Sequence, residues 1–436
     1  MQLSKSKRIT TLLATATCTL LNAGVQAQET KSENDWQFDT AILYYGETDR
    51  VSLLEGVVSA TKDFGDQRVL NTKLVIDTLT GASATGAVSQ PYAQTFSRPS
   101  GDGQYTTSPN ELPLDDTFKD TRVQLSANWT QPIYKDTRVN LGANISREYD
   151  YLSVGTSVSA ERDFYNKNTT ALFGLSYQFD SIDPVGGRPI GLSTMVVDEG
   201  QFGAGGAGED AFEAAFDQTR ITDTDDKSTI DALFGLTQVI NRRMLVQLNY
   251  SYSTSSGYLN DPYKLLSLVN NNGETQSILH ENRPDSRAKH SVYAQTKYAF
   301  DNAVADVSYR FATDDWDITS HTIDSKLRYN LSESDYIQPH FRYYQQSEAD
   351  FYRPYLNDID ALPAFASADY RLGEMTAITV GLKYGHKMNN GHEWGVRAEY
   401  YQQDPKNAGF ENIGVLANQD LYPSVKAFIL QFSYSF

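Results

Sequence analysis

The nine residues TDDWDITSH, from Thr313 to His321, combine side chains that could bind a metal or take part in catalysis. In an extended segment alternate residues share a face, so Asp315, Asp317 and His321 would point the same way and Trp316 the other way. Carboxylate oxygens bind divalent cations such as calcium, and an imidazole can complete a metal site. Asp315, Asp317 and His321 are therefore the candidate metal ligands.

The alternative interpretation is that TDDWDITSH is only the tip of a β-hairpin. Its acids and hydroxyls would then be solvated, and Trp316 would anchor the hairpin at a membrane boundary, where aromatic rings are enriched. The spacing does not match an EF-hand, which needs a longer loop with a glycine and a distal glutamate. The strands and connections around this segment decide between the two interpretations.

The N-terminal segment has the features of a secretory signal. Basic residues at positions 5–8 precede an apolar, hydroxyl-rich run, and small residues precede the expected cleavage after Ala27. The apolar run is too short for a helix that spans a membrane. We therefore predict a cleaved signal peptide over residues 1–27 and a mature chain over residues 28–436.

Composition narrows the class of protein. The formal charge is −18, and the signal removes three positive charges and no negative one, which leaves −21 on the mature chain. Nucleic acid is an improbable class of partner for so acidic a chain. The only cysteine, Cys18, lies in the signal, which excludes disulfides and cysteine metal sites from the mature chain. Tyr and Phe are nevertheless abundant, at 28 and 20.

The C-terminal residues AFILQFSYSF alternate between apolar and polar side chains. Phe428, Leu430, Phe432, Tyr434 and Phe436 fall on one face, and mainly polar residues fall on the other. This period of two is typical of strands that face lipid. A terminal phenylalanine on such a strand also resembles the signal read by the bacterial barrel-assembly machinery. The pattern predicts an outer-membrane barrel, with outer-membrane lipid and that machinery as partners.

The same alternation recurs along the whole mature chain. It predicts an all-β fold, a transmembrane antiparallel β-barrel of about sixteen strands that forms one domain over residues 28–436. The strands are predicted at residues 36–45, 49–61, 67–79, 118–131, 137–149, 152–163, 167–179, 228–240, 243–255, 287–300, 303–313, 318–331, 335–347, 374–385, 392–403 and 422–436.

The predicted connections alternate in length, which supports the barrel. Every second connection is short, and the other set includes all the long ones, at residues 80–117, 180–227, 256–286, 348–373 and 404–421. Short periplasmic turns and long extracellular loops are typical of such barrels. TDDWDITSH falls on a short connection of the extracellular set.

Sixteen strands enclose more space than side chains alone can fill, so the lumen holds water unless loops fold inward. The connection at residues 80–117 is long enough to do so. Since about eight residues separate the predicted cleavage site from Trp36, we expect no plug domain before the first strand.

Nine segments of the mature chain together resemble the DUF3570 family of bacterial proteins. They are GASATGA (81–87), LPLDDTFKDTR (112–122), IDPVGG (182–187), GLTQVINRR (235–243), GYLNDPYK (257–264), ENRPDSR (281–287), DDWDITSHT (314–322), RYYQQSEADFY (342–352) and SADYRLGEM (367–375). The resemblance implies an exported barrel. It also implies partners, because the genomic setting of the family includes a small lipoprotein, a thioredoxin-like protein and a transferase that attaches flavin to periplasmic proteins.

Acidic residues cluster in the predicted extracellular connections. Carboxylates held close together attract hard cations, so Asp261, Asp350 and Asp369 could join a divalent-cation site, such as a calcium site, at this rim. Arginines in the same segments, among them Arg283 and Arg371, could instead neutralise the acids as bidentate pairs. The first arrangement predicts a cation-binding vestibule, and the second a network of ion pairs.

One predicted strand carries candidate pore-lining residues. In YIQPHFRYY, His340, Arg342 and Tyr344 alternate with apolar residues and should therefore face the lumen. Pro339 cannot donate a ladder hydrogen bond, which predicts a bulge or an irregular rung beside His340.

These features predict a channel or substrate-specific transporter with an acidic extracellular vestibule, linked through the family resemblance to extracytoplasmic redox or metal physiology. The alternative is a non-conducting scaffold or receptor for periplasmic or lipoprotein redox partners. We do not expect an enzyme, since the nucleophile-elbow, zincin and phosphate-loop motifs are missing from the sequence. No organic cofactor is predicted.

Overall fold

A computed structural model describes residues 36–197 and 206–436, so the predicted signal at residues 1–27 lies outside the described residues. Within them, sixteen antiparallel strands pair in chain order into a closed barrel, as predicted. The strands are β1 (Trp36–Glu47), β2 (Val51–Asp63), β3 (Val69–Ala84), β4 (Leu114–Tyr134), β5 (Thr137–Arg147), β6 (Tyr151–Phe164), β7 (Thr169–Ile182), β8 (Asp225–Asn241), β9 (Met244–Gly257), β10 (Ser286–Ala299), β11 (Ala303–Asp314), β12 (Thr319–Asn330), β13 (Asp335–Gln346), β14 (Met375–Lys387), β15 (Glu393–Pro405) and β16 (Val425–Ser435).

The first and last strands close the barrel. β1 and β16 pair from Asp39 opposite Ser435 to Glu47 opposite Ala427. Beyond this ladder, the backbones of Phe38 and Phe436 exchange two hydrogen bonds, with N–O distances of 2.8 and 2.9 Å. Closure leaves no free sheet edge, which is the condition for strands to cross a membrane.

Alternation separates the two faces of the wall. On β7 the outward side chains Phe173, Leu175 and Tyr177 are 42, 42 and 46% exposed. On β6 the inward side chains Ser153 and Glu161 are buried. Large apolar groups thus cover the outside and polar groups the inside, as in barrels that stand in lipid.

Aromatic rings gather at the end of the barrel that carries the short turns. Trp36 stacks on Phe38, with ring centroids 6.2 Å apart, and Phe38 stacks on Phe436 at 5.3 Å. Phe64 contacts Trp129 at 5.5 Å in the same region. Bands of aromatic rings are typical of the level at which a barrel meets the membrane surface.

The long connections at the other end contain secondary structure of their own. No helix in the described residues is long and apolar enough to cross a membrane. The elements in these connections are two strands at Gln94–Ser97 and Gln104–Thr107, two at Arg188–Pro189 and Arg220–Ile221, a sheet of Thr275–His280, Leu265–Val269 and Leu356–Asn357, the helix α1 (Gly206–Asp217) and two short 3-10 helices, Tyr370–Leu372 and Gly414–Asn418.

These connections pack on one another around apolar side chains. We use the name cap for the described residues of the long connections, namely 85–113, 183–197, 206–224, 258–285, 347–374 and 406–424. One cluster joins Phe96 with Met195 and Leu265, and another joins Leu266 with Ala366. Phe96, Leu266 and Ala366 are fully buried. The cap therefore has its own hydrophobic core at one end of the barrel.

Candidate functional site: a capped cavity

Five ionisable side chains, Asp261, Glu281, Arg283, Asp369 and Arg371, lie together inside the cap. The Arg283 guanidinium donates to Glu281 and Asp369, with N–O distances of 2.8 and 2.9 Å. The Arg371 guanidinium donates to Asp369 and Asp261, each at 2.8 Å. We call these five residues the cap network. It ties the connection 258–285 to the connection 347–374.

Burial and pairing compete in this network. Burial raises the pKa of the Asp369 carboxyl, but Arg371, Lys264 and Arg283 outweigh burial and hold that pKa well below its usual range. Burial also raises the pKa of Glu281, and Arg283 does not fully offset this effect. Removal of one partner from a buried pair costs about 3–5 kcal/mol, because the remaining charge is left uncompensated.

A cavity of about 210 Å³ lies under the cap network, against the inner wall of the barrel. Asp369 and Arg371 are part of its lining, together with the apolar side chains of Leu259, Leu372 and Trp316. Inward-facing residues of β8 to β13 form the opposite boundary. The same cap residues therefore belong both to the ion-pair network and to the ceiling of the cavity.

The connection at residues 80–117, which is long enough to fold into the lumen, does not line this cavity. Within the cap it packs on the connection 258–285, where the Val88 N–H donates to Ser267 Oγ at 3.1 Å and Gln90 donates to the Gly273 carbonyl at 3.0 Å. The long connections that line this cavity are 258–285 and 347–374.

Small side chains make room for the cavity in the wall. The strand registers place Ser251 on β9, Ser291 on β10, Ala312 on β11 and Ser320 on β12 side by side. All four face inward and line the cavity. A belt of small residues across four neighbouring strands leaves space that larger side chains would fill.

The cavity lining is rich in positive charge. Two carboxylates, Asp314 and Asp369, accompany seven basic side chains, Lys227, Arg283, Arg287, Lys289, Arg310, Arg342 and Arg371.

Some of these basic side chains are neutralised by neighbours. Lys227 lies 2.7 Å from Asp180, and Arg287 donates to Asp314 at 2.8 Å. In the described part of the chain, Lys289 has no carboxylate in ion-pair contact, nor has Arg342. The cavity lining therefore has more basic than acidic side chains although the whole chain is acidic.

TDDWDITSH forms the tight connection between β11 and β12. The Asp314 carboxylate accepts hydrogen bonds from the Trp316 and Ile318 N–H groups at 3.1 and 3.0 Å, and Asp317 adopts a positive φ of 63°. An aspartate that bonds the backbone two residues on is a turn-forming arrangement. The turn interrupts the alternation on which the predicted shared face depended.

The structure does not bring the three candidate metal ligands together. Asp315 accepts a hydrogen bond from the Ala288 N–H at 2.9 Å, whereas exposed His321 contacts the Tyr309 hydroxyl at 2.8 Å. Asp317 occupies the turn itself. Among the described residues, no group of three or more His, Cys, Asp or Glu side chains has an arrangement that could hold a metal ion.

Trp316 does not face a membrane boundary, contrary to the expectation. Its side chain is only 4% exposed and meets Phe351 of the cap edge to face, with centroids 5.0 Å apart. Its indole N–H donates to the Ser286 carbonyl at 2.8 Å, and the Arg287 guanidinium lies 4.3 Å from its ring centroid. The positive φ at Asp317 helps to turn the hairpin tip, and the indole packs under the cap.

Two of the three candidate rim acids are paired with an arginine, and the third is exposed. Asp261 and Asp369 are buried and paired with Arg371 in the cap network. Asp350 is exposed, and its N–H donates to the Trp316 carbonyl at 2.9 Å. Arginines in the same connections fold beside the acids. The carboxylates of Asp261 and Asp369 therefore accept hydrogen bonds from guanidinium groups.

The three candidate pore residues lie on the inner face of β13. Arg342 and Tyr344 line the cavity, and His340 lies further toward the short-turn end. The ladder between β12 and β13 has a gap beside Pro339 and resumes in the same register, so the irregular rung occurs without a bulge. The alternation had therefore indicated the correct face of the strand.

His340 bridges two carboxylates on the inner wall. Its Nε2 lies 3.0 Å from Asp324 on β12, and its Nδ1 lies 2.8 Å from Glu399 on β15. Glu399 is two strands away and reaches His340 across Gly381 of β14. A Cβ atom at Gly381 would lie 2.5 Å from Glu399 Cγ, so the missing side chain permits this approach.

Sequence reasoning missed Lys264, His280 and Lys289. Lys264 is buried in the cap and donates to the Ala84 carbonyl. His280 is also buried, neither ring nitrogen has a hydrogen-bond partner among the described residues, and burial, assisted by Arg220, lowers its pKa to about 3. Periodicity does not report burial in long connections, but the alternation of β10 could have revealed Lys289.

Three of the segments that carry the family resemblance meet in the cap network. GYLNDPYK supplies Asp261, ENRPDSR supplies Glu281 and Arg283, and SADYRLGEM supplies Asp369 and Arg371. Segments that are far apart in sequence therefore contribute to one site.

Several solved structures resemble the chain at low identity. The siderophore receptor PirA of Pseudomonas aeruginosa matches with 7% identity and a TM-score of 0.41, over 93% of this chain and 63% of its own. A variant of the ferric enterobactin receptor PfeA of Pseudomonas aeruginosa, in complex with enterobactin, matches with 10% identity and a TM-score of 0.42, over 92% and 60%. The chain thus spans less than two thirds of both receptors.

A bacterial polysaccharide outer membrane secretin matches with 8% identity and a TM-score of 0.42, over 93% of this chain and 100% of its own. No curated protein matches the chain. The family model described as "Protein of unknown function (DUF3570)" matches residues 10–436, which confirms the resemblance first seen in nine short segments. The chain belongs to the DUF3570 family.

Proposed function

We propose that this barrel is a gated, solute-specific channel of the outer membrane, in which the cap closes the end that carries the long connections. The observation that carries the proposal is the double role of Asp369 and Arg371, which line the cavity and also belong to the buried network that holds the ceiling. A sixteen-stranded barrel is wide enough to hold water. A ceiling with its own core limits passage to solutes that the cavity can accept.

The proposal includes an orientation. Barrels of this kind have short periplasmic turns and long extracellular loops, so the cap would face the outside of the cell. A solute would then enter through the cap and pass along the polar inner wall. Periplasmic partners, including those implied by the family resemblance, would meet the end with the short turns.

The contacts between ceiling and wall indicate how the gate would open. Gln346 of β13 donates to the carbonyls of Arg371 and Gly373 at 3.0 and 2.8 Å. Trp316 packs on Phe351 from the hairpin tip. These contacts involve loop residues and wall side chains rather than the strand ladders. The ceiling can therefore move while the barrel remains closed on itself.

Conductance across planar bilayers tests the proposal. In the full chain, Arg371→Ala removes the guanidinium that pairs with both Asp261 and Asp369, so we expect the ceiling to loosen and the ion current to rise severalfold above wild type. The matched control is Arg243→Ala at the opposite end, where Arg243 and Asp301 form a pair that is 54 and 82% exposed. This control should conduct like wild type.

Folding is checked by the heat-dependent migration of the barrel on gels. If the folded Arg371→Ala protein carries no current, the channel proposal fails, and the non-conducting receptor or scaffold becomes the better interpretation.

One observation favours the receptor or scaffold as a second candidate function: the cap exposes Ile359, Leu362 and Phe365, at 69, 50 and 42%. All three belong to the connection 347–374, and exposed apolar side chains are typical of surfaces that bind a partner.

A further inference from the structure

We infer that the capped cavity binds a small, multiply charged anion that carries carboxylate or phosphate groups. The inference rests on the proposed function in one respect only: it takes this anion to be the solute that passes through the channel. Binding itself can be measured without conduction, so the two ideas can fail separately.

The lining of the cavity has an excess of basic side chains. The chain has a formal charge of −18, yet the cavity is lined by seven basic side chains and two carboxylates. Four of the basic groups, Lys227, Arg283, Arg287 and Arg371, are paired with carboxylates, whereas Lys289 and Arg342 have no carboxylate in ion-pair contact among the described residues. A cavity whose lining has an excess of one charge concentrates ions of the opposite charge. The lining therefore favours an anion and repels a cation.

The basic groups reach the cavity from different strands. Lys289 lies on β10, Arg310 on β11 and Arg342 on β13, so they approach the cavity from three strands. Within the described residues, Lys289 and Arg342 lack a carboxylate in ion-pair contact, and the Arg310 guanidinium lies 5.5 Å from the Tyr293 ring centroid. Arginine forms bidentate hydrogen bonds with carboxylate and phosphate. Several such groups suit an anion with more than one charged oxygen group.

The neutral hydrogen-bond donors and the size of the cavity also suit a small anion. Hydroxyl groups of Ser251, Ser291 and Ser320 stand in the belt of small residues, and hydroxyls donate hydrogen bonds to oxyanions. The cavity volume of about 210 Å³ is below the range of about 300–1,000 Å³ that holds drug-sized ligands. A small polyanion therefore fits better than a large conjugate. Trp316 and Leu372 on the ceiling side can cover its uncharged part.

Isothermal titration calorimetry, which measures the heat of binding, tests the inference with citrate and with inorganic pyrophosphate. These probes represent the carboxylate and phosphate classes, and spermidine serves as the cationic comparison. The protein is the full chain, folded in detergent micelles at low ionic strength, because salt screens charge interactions. We expect one or both anions to bind at a single site and spermidine not to compete. The anion that binds identifies the oxygen group that the site prefers.

The test variant is the triple substitution Lys289→Gln, Arg310→Gln and Arg342→Gln. Loss of one charged hydrogen bond weakens binding about tenfold or more, so the triple variant should lose measurable binding. The matched control is Arg397→Gln, because Arg397 lies on the inner wall outside the cavity. It should bind the anion like wild type. Single variants provide a graded loss if the triple variant does not fold.

Three results would overturn the inference: neither anion binds wild type, the folded triple variant binds as tightly as wild type, or Arg397→Gln loses binding equally. Current measurements keep this apart from the proposed function. A protein that binds the anion but conducts nothing after the cap is loosened contradicts the channel only. A protein that conducts but binds neither anion contradicts the anion site only.

Discussion

The two ends of this barrel use ion pairs in opposite ways. At the short-turn end, Arg243 and Asp301 lie 2.8 Å apart and remain more than half exposed. At the cap end, Arg283 and Asp369 lie 2.9 Å apart with side-chain exposures of 9 and 0%. The distances are alike, and burial differs. The distance between the charged atoms therefore does not determine how much an ion pair contributes to the free energy of unfolding, since water screens one pair and is excluded from the other.

The ends also differ in what holds them together. The short turns depend on the strands that they connect, whereas the cap has buried apolar clusters shared between connections. A region with its own core can open separately from the rest of a protein. We therefore expect the cap to unfold locally while the barrel persists. The following changes test this difference, beginning with the largest expected effect.

Arg283→Ala should destabilise the cap by about 3–5 kcal/mol, because Glu281 and Asp369 lose a buried partner. Hydrogen exchange measures the effect residue by residue. We expect faster exchange at the backbone amides of Leu266 and Leu279 in the cap sheet, and no change at Leu248 in β9. Equal acceleration in both regions would contradict a cap that opens independently of the barrel.

Leu266→Ala should destabilise the cap by about 2–5 kcal/mol, because the side chain is fully buried and its removal leaves a cavity. The matched substitution is Leu248→Ala on the outer face of the wall, where the side chain is 49% exposed to the surroundings of the barrel. Limited proteolysis should cut the cap of Leu266→Ala faster and leave Leu248→Ala like wild type. Similar cleavage of both variants would remove the distinction between the two regions.

Acid should weaken the cap through His280. Burial lowers the pKa of His280 from 6.5 to about 3, so the opened cap binds a proton between these values that the closed cap does not. Its contribution to cap stability is complete above pH 6.5 and is lost as pH falls toward 3. The loss is about 1.4 kcal/mol per pH unit within this window.

The measurement is hydrogen exchange in the cap at pH 7 and at pH 5, corrected for the intrinsic pH dependence of exchange. His280→Leu removes the titrating group and should flatten the part of the pH dependence that it causes. The difference between wild type and His280→Leu also isolates His280 from Glu281, whose raised pKa acts in the opposite direction. An unchanged slope in His280→Leu would contradict this role.

Arg243→Ala should have the smallest effect, about 0–1 kcal/mol, because the pair with Asp301 is exposed and screened. Thermal unfolding of the whole barrel, followed by circular dichroism, provides the measurement. A loss as large as that of Arg283→Ala would show that exposure does not separate the two ends.

Much of the barrel could be predicted from the sequence, since it depends on local pattern. A period of two reports which face of a strand meets an apolar environment, so it located all sixteen strands and placed His340, Arg342 and Tyr344 on the inner face of β13. Alternating connection lengths separated the two ends. Both patterns are properties of residues close together in the sequence, so they can be recognised without knowledge of the fold.

The cap and its cavity were decided by tertiary structure. Asp261, Arg283 and Asp369 lie in three separate segments, and only the packing of the long connections brings them into one network. The same acids looked like a cation site in sequence, because sequence does not show which charges are neutralised. TDDWDITSH was placed correctly at a hairpin tip, but the turn at Asp317 and packing under the cap set the direction of Trp316. The alternation of apolar and polar residues determined the barrel wall. Contacts between segments distant in sequence determined the site, because charge compensation and burial depend on which residues meet in three dimensions and not on their order in the chain.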